Sequence, residues 1–146
     1  MKKPFSLMLI IMISFCYYAQ KPDFKTPYES NPYLTEGILE AVSFSRTRMT
    51  PIKESAPESC LEIPKPFGIM GLYENGKSYF WETAKMVSLL SNITIEQQKK
   101  SSNNQILAYA IAYNNLMKSI CDSTDQKNDE KKIYSVLKQL SEIPET

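Results

Sequence analysis

The chain has 146 residues, enough for a single domain, and its 17 Lys and Arg residues nearly balance 16 Asp and Glu residues, for a formal net charge of +1. It contains no histidine, which excludes Ser-His-Asp and Cys-His catalysis and the histidine-containing zinc sites of many hydrolases. A near-neutral balance lacks the basic face typical of nucleic-acid binding. We therefore expect no nucleic-acid partner, and no motif predicts a cofactor or a metal.

The first 19 residues predict a signal peptide. Two lysines precede an uncharged, largely apolar stretch at residues 5–18, which is shorter than the roughly 20 residues that a membrane-spanning helix needs. Cleavage after Ala19 would leave 15 positive against 16 negative charges, a net charge of −1, and would place the protein in the periplasm or outside the cell. Two alternatives stay open: a lipid anchor at Cys16, and an uncleaved signal that holds the chain to the membrane.

Residues 20–34 are polar, carry three prolines and are predicted to form an extended leader to a domain at residues 35–146. Thr35 is the candidate N-cap of a first helix, and Pro51 would end that helix. Arg46 would lie at the edge of its apolar face. The residues predicted to form that face are Ile38, Leu39, Val42 and Met49.

The rest of the chain predicts further helices around one glycine-containing turn. Residues 51–67 hold four prolines and predict a loop, and Gly68 and Gly71 then predict a turn with close backbone approach. Helices are predicted at about 78–91, at a capping box from Thr94 to Gln97, at about 104–120 and at about 129–143. No segment alternates like a strand, so the predicted class is all-α, apart from short extended pieces near the glycines.

Two cysteines, Cys60 and Cys121, remain after the predicted signal peptide. Exported proteins often join such a pair in a disulfide. The sequence leaves two alternatives open: a Cys60–Cys121 bridge, or two unpaired buried thiols.

Several segments resemble motifs of the soluble lytic transglycosylase and goose-lysozyme-like family. Residues 41–51, Ala-Val-Ser-Phe-Ser-Arg-Thr-Arg-Met-Thr-Pro, are similar to that family's A-I-A-x-x-E-S-x-x-x-P, and residues 68–72, Gly-Ile-Met-Gly-Leu, to its G-A-x-G-L-M-Q. Residues 104–109 resemble the N-I-x-x-G helix that follows. With Ser59-Cys60 and Tyr79-Phe80, the chain looks most like the lysozyme-like N-terminal region of some exported bacterial N-acetylmuramoyl-L-alanine amidases.

The resemblance implies a lysozyme-like helical domain, incomplete at its C-terminus and completed by a partner, with peptidoglycan glycan strands as its ligand. Arg46 stands where the family has its catalytic Glu, and an arginine keeps its proton at neutral pH, so no catalytic residue is expected there. Glu74, where the family has Gln, is the fallback acid. The residues implied to contact the glycan are Gly68, Met70, Gly71, Tyr73, Glu74 and Trp81.

Three functions follow as hypotheses. The first is a non-catalytic, glycan-binding module of the cell wall, related to the amidases. The second is an active murein lyase or muramidase that uses Glu74 as its acid. The third is an envelope interaction protein that does not bind sugar.

Overall fold

The computed structural model describes residues 21–53, 65–74 and 82–141, and they form a helical fold. The helices are α1 Lys25–Ser30, α2 Ile38–Thr47, α3 Thr83–Ser91, α4 Ile95–Lys100, α5 Ser102–Ile120 and α6 Glu130–Leu140, with a 3₁₀ helix at Thr124–Asn128. Within these ranges, extended pairing is limited to two isolated bridges near the glycines, so the predicted all-α class is confirmed. The predicted signal peptide, with Cys16, lies outside the described residues.

Helix α5 is the centre of the fold, and α1, α2, α3, α4 and α6 all pack on it. The helical spacing of its apolar residues predicted this helix, and the observed range contains the predicted one. The Ser101 hydroxyl caps its first turn by accepting a hydrogen bond from the Asn104 N–H at 3.1 Å. The fully buried core residues of α5 are Ile106, Ala108, Tyr109, Ala110, Ala112, Tyr113 and Met117.

The segment before the first predicted helix is not an extended leader. It contains α1, whose Pro27 is buried, and it packs against α5. Two side chains of α5 hold its backbone: Asn103 Oδ1 accepts from the Asp23 N–H, and Asn114 Oδ1 accepts from the Tyr33 N–H, both at 2.9 Å. These bonds join residues 80 and 81 positions apart, so local composition could not predict them.

Helix α2 begins later than predicted, because Thr35 is not its N-cap. Gly37 occupies the N-cap position with a φ of 83°, and the helix starts at Ile38. The Thr35 hydroxyl instead donates to the carbonyl of Lys127 at 2.5 Å and lies 3.2 Å from the Tyr113 hydroxyl. A tertiary hydrogen bond therefore replaces the predicted local cap.

The first turn of α2 is held by a tyrosine of α1. The Tyr28 hydroxyl accepts from the Leu39 N–H at 3.1 Å and donates to Glu40 Oε2 at 2.5 Å. Burial, and then this bond to the carboxylate, raise the pKa of the Tyr28 phenol. Burial likewise raises the pKa of Tyr113 in α5.

Helix α2 also ends earlier than predicted. Arg48 and Met49 take left-handed φ values of 55° and 59°, so the helix stops at Thr47, before Pro51 is reached. Their N–H groups donate back to the carbonyls of Phe44 and Ser43. Met49 is thereby turned away and is 39% exposed, which contradicts its predicted place on the inward face.

The remaining helices match the prediction in type and differ at their ends. Helix α3 begins at Thr83, because Glu82 has a non-helical ψ of 71°, whereas residue 78 was predicted. The capping box at Thr94 is present, and Asp129 caps α6 by accepting from the Lys131 N–H at 2.9 Å. In the part of the chain that the structure describes, no helix combines the length and apolar character needed to cross a bilayer.

Candidate functional site

The glycine motif forms a short hairpin, residues 67–72, which we name the glycine hairpin. Phe67 and Leu72 close it with two backbone hydrogen bonds of 2.8 and 3.1 Å. Gly68 and Gly71 take φ values of 67° and 58°, which glycine adopts without a steric penalty. The two glycines thus permit the tight turn that the motif predicted.

Helix α2 supports one face of the glycine hairpin through hydroxyl groups of its last two turns. Ser43 Oγ donates to the carbonyl of Ile69 at 3.1 Å, and Thr47 Oγ1 lies 2.7 Å from the same oxygen. Both side chains are buried. Buried hydroxyls with partners stabilise the fold, so this face of the hairpin is fixed against α2.

Arg46, the position of the acid in the resembled motif, binds backbone carbonyls. Its Nη2 donates to the carbonyl of Leu140 at 2.9 Å, and its Nη1 lies 3.5 Å from the carbonyl of Met70. Leu140 is the last residue of α6, so the guanidinium places positive charge at the negative end of that helix dipole. Arg46 thereby joins α2, the glycine hairpin and α6.

Gly71 permits the close approach of α2 to the hairpin. A Cβ at this position would lie 2.9 Å from Arg46 Cβ and 3.2 Å from Thr47 Cγ2. Met70, beside it, is fully buried. These two predicted glycan contacts therefore lie on the side of the hairpin that packs against α2, which we name the closed face.

Helix α5 supports the glycine hairpin from the other side with one buried amide. Gln105 Oε1 accepts from the Met70 N–H at 2.8 Å, and its Nε2 donates to the carbonyl of Phe67 at 3.2 Å. A Cβ on Gly68 would lie only 2.2 Å from Gln105 Oε1. The first glycine therefore leaves room for the amide that positions the hairpin.

An open groove of about 740 Å³ lies on this second side of the glycine hairpin. Its walls are the segment after α2, the start of the hairpin, α4 and the first residues of α5. Of the predicted glycan-contacting residues, Gly68 lines the groove, whereas Met70, Gly71, Tyr73 and Glu74 do not. The lining residues are Pro51, Ile52, Lys53, Phe67, Gly68, Glu96, Gln98, Lys99, Ser101, Ser102 and Gln105.

Glu74 reaches the edge of this groove through an ion pair. Its Oε2 lies 2.7 Å from Lys99 Nζ, and the two side chains are 44% and 31% exposed. Lys99 Nζ also lies 5.5 Å from the centroid of the Phe67 ring, within the range of a cation–π contact. Glu74, the fallback acid, is thus engaged with a lysine that lines the groove.

Tyr73 connects the glycine hairpin to α3 through its backbone. Its N–H donates to Thr83 Oγ1 at 2.9 Å, and its carbonyl accepts from the Ala84 N–H at 2.9 Å. Trp81, the last predicted glycan contact, lies outside the described residues. The structure therefore gives Tyr73 a positioning role at the start of α3.

Sequence reasoning missed the polar side chains that hold the site: Ser43, Thr47, Gln98 and Gln105. Each is buried at a position where a helix faces the core. A polar residue on the buried face of an amphipathic helix needs a hydrogen-bond partner. A polar residue spaced in register with the apolar ones was therefore the signal in the sequence that could have identified these side chains.

Cys121 is buried and unbridged among the described residues. Cys60 lies outside them, so the pairing of the two cysteines stays a prediction. The same described ranges hold no group of three or more His, Cys, Asp or Glu side chains arranged to bind a metal ion.

No protein family, curated protein or solved structure matches the chain. The likeness to lysozyme-like domains therefore rests on the sequence motifs alone, and the function that it implies is a proposal.

Proposed function

We propose that this chain is an exported, non-catalytic peptidoglycan-binding module of the lysozyme-like class, related to cell-wall amidases. The observation that carries the proposal is the setting of Arg46. A lytic transglycosylase needs a general acid where the motif places this residue. Here a guanidinium occupies the place and donates to the carbonyls of Leu140 and Met70, which supports the non-catalytic half of the proposal.

The groove beside the glycine hairpin supports the binding half of the proposal. Its volume of about 740 Å³ falls in the range of small-ligand sites. Its lining combines two serines, Ser101 and Ser102, with the charged residues Lys53, Glu96 and Lys99, a polar set that suits the hydroxyl and amide groups of N-acetylated sugars. Gly68 and Gln105 line its inner side, where the Gln105 amide bonds to the hairpin backbone.

The alternative is a murein lyase or muramidase that uses Glu74. The observation that favours it is position: the carboxylate lies just beyond the glycine hairpin, 2.7 Å from a groove-lining lysine. The geometry favours it less than binding, because the carboxylate is paired with an ammonium group, and a general acid must face the glycosidic oxygen. Export through a cleaved signal peptide stays part of the proposal as a prediction.

The test is incubation of the purified protein with peptidoglycan sacculi, with both the pelleted protein and the released muropeptides measured. The proposal expects pelleting without release. Release that disappears in Glu74→Gln would instead support the muramidase. Neither pelleting nor release, from a chain with a cooperative unfolding transition, would support an envelope protein that does not bind the wall.

A further inference from the structure

Phe67 lines the open groove beside the glycine hairpin, yet the residue is almost inaccessible to solvent, with 6% of its surface exposed. Its backbone is fixed, because its N–H and its carbonyl both pair with Leu72 and the carbonyl also accepts from Gln105 Nε2 at 3.2 Å. The ring therefore stays beside the groove. Whether a ligand can reach it depends on the side chain that covers it there.

Lys99 of α4 lies over the Phe67 ring. Its Nζ is 5.5 Å from the centroid of the ring, and Lys99 lines the same groove. An ammonium group is attracted to the face of an aromatic ring, because that face carries the negative part of the ring quadrupole. The C–H groups of a sugar are attracted to the same face for the same reason. The lysine and a sugar would therefore compete for one side of one ring.

The Glu74 carboxylate holds the Lys99 ammonium group in this position. Its Oε2 lies 2.7 Å from Lys99 Nζ, just beyond the hairpin strand that begins with Phe67. The two side chains are 44% and 31% exposed, so their attraction is reduced by dissolved salt. The contact of Lys99 with the ring therefore depends on an ion pair that solution conditions can weaken.

We propose that Lys99 is a gate over Phe67, and that a sugar of the glycan strand stacks on the Phe67 ring when Lys99 moves aside. Glu74 is a positioning residue that holds the gate closed. The observed affinity for glycan is then reduced in proportion to the fraction of molecules in which the gate is open. The inference rests on the proposed function and assigns how the same groove is regulated.

The first measurement tests the gate without a ligand. A soluble paramagnetic agent broadens the NMR signals of protons that it can approach, so with labelled phenylalanine it reports the exposure of the Phe67 ring. Lys99→Ala should increase this broadening, and alanine keeps the helical propensity of α4. Lys100→Ala makes the same change at the next residue, which is exposed and outside the groove lining, and should leave the broadening unchanged. Equal broadening in wild type and Lys99→Ala would overturn the inference.

The second measurement is calorimetric titration with an oligosaccharide of N-acetylglucosamine, an uncharged probe. Lys99→Ala should bind it roughly fivefold more tightly than wild type, because the sugar no longer displaces a cation–π contact and an ion pair. Glu74→Gln should shift the affinity in the same direction by less, and Lys100→Ala should not shift it. Because the probe carries no charge, added salt should tighten binding to wild type by weakening the Glu74–Lys99 pair, and should have no such effect in Lys99→Ala.

The opposite results separate the gate from the proposed function. Weaker or unchanged binding in Lys99→Ala would mean that the lysine contacts the ligand or does not block it, and would overturn the inference. If no variant binds the oligosaccharide, the inference fails, and pelleting with sacculi then decides the proposed function alone. A gain in Lys99→Ala that persists when Phe67→Leu is added, in a double variant with a cooperative unfolding transition, would also overturn the inference, since the ring would not be the contact.

Discussion

The two faces of the glycine hairpin differ in how many side chains hydrogen-bond to the hairpin backbone. On the α2 side, the carbonyls of Ile69 and Met70 accept from three side chains of one helix. On the α5 side, a single amide, Gln105, holds the backbone, and beyond it the surface opens into the groove. The first face is built for packing, and the second leaves room for a ligand.

This difference divides the residues that the motif resemblance grouped together. Met70 and Gly71 lie on the closed face, where they let α2 and the core approach. Gly68 lies on the open face, and Glu74 reaches that face through Lys99. The segment that resembles the transglycosylase motif therefore contains residues that serve packing, so the resemblance does not by itself identify the ligand contacts.

The largest expected loss of stability comes from filling the space between Gly68 and the Gln105 amide. Gly68→Ala places a Cβ against Gln105 and forces an alanine to a φ of 67°. We expect it to lower the free energy of unfolding by about 3 kcal/mol, from left-handed strain and overpacking together. Urea denaturation measures this change.

Gly37→Ala is the matched control for that substitution. Gly37 also has a positive φ, of 83°, but a Cβ added there would meet no atom within 4 Å. Gly37→Ala should lower the free energy of unfolding by about 1 kcal/mol, from backbone strain alone. Equal losses in the two variants would mean that Gln105 moves freely and does not fix the hairpin.

The next largest loss of stability is expected at Arg46, on the closed face. Arg46→Met should lower the free energy of unfolding by about 2 kcal/mol, because the carbonyl of Leu140 loses a charged donor. Arg46→Glu should cost about 1 kcal/mol more, because a carboxylate would face the negative end of α6. It should also release no muropeptides from sacculi, although it restores the residue type of the motif. Release by this variant would show that the closed face still contains a latent active site.

Features that depend on neighbouring residues in the sequence were predicted correctly, whereas features that depend on contacts between distant residues were missed. The apolar spacing of α5 and the capping box of α4 are local, and both predictions were confirmed. The predicted cap at Thr35 was wrong because its hydroxyl bonds to Lys127, 92 positions away. The groove could not be predicted either, since it forms where α4, the start of α5 and two hairpin residues meet only after folding.

A smaller effect should appear at alkaline pH, at the contact between α1 and α2. Burial and the bond to Glu40 raise the pKa of Tyr28, so the folded chain keeps a proton that the unfolded chain loses near pH 10. This contribution to stability is fully present below about pH 10 and declines as the pH rises further. Unfolding free energies measured from about pH 8 to about pH 12 should fall less steeply in Tyr28→Phe. The decline should not vanish, because the pKa of Tyr113 is raised as well.

Tyr28→Phe should also cost about 1 kcal/mol at neutral pH, because Leu39 and Glu40 lose a hydrogen-bond partner. An unchanged slope above about pH 10 would mean that the tyrosine titrates equally in both states, and that its bond to Glu40 is not maintained in solution.

The smallest expected effect lies at the edge of the open face, in the pair formed by Glu74 and Lys99. Both side chains are partly exposed, so a double-mutant cycle of Glu74→Gln and Lys99→Met should give a coupling of about 0.5 kcal/mol that decreases with added salt. A larger coupling that added salt does not reduce would mean that the pair is shielded from solvent, and Glu74 would then be fixed beside the groove.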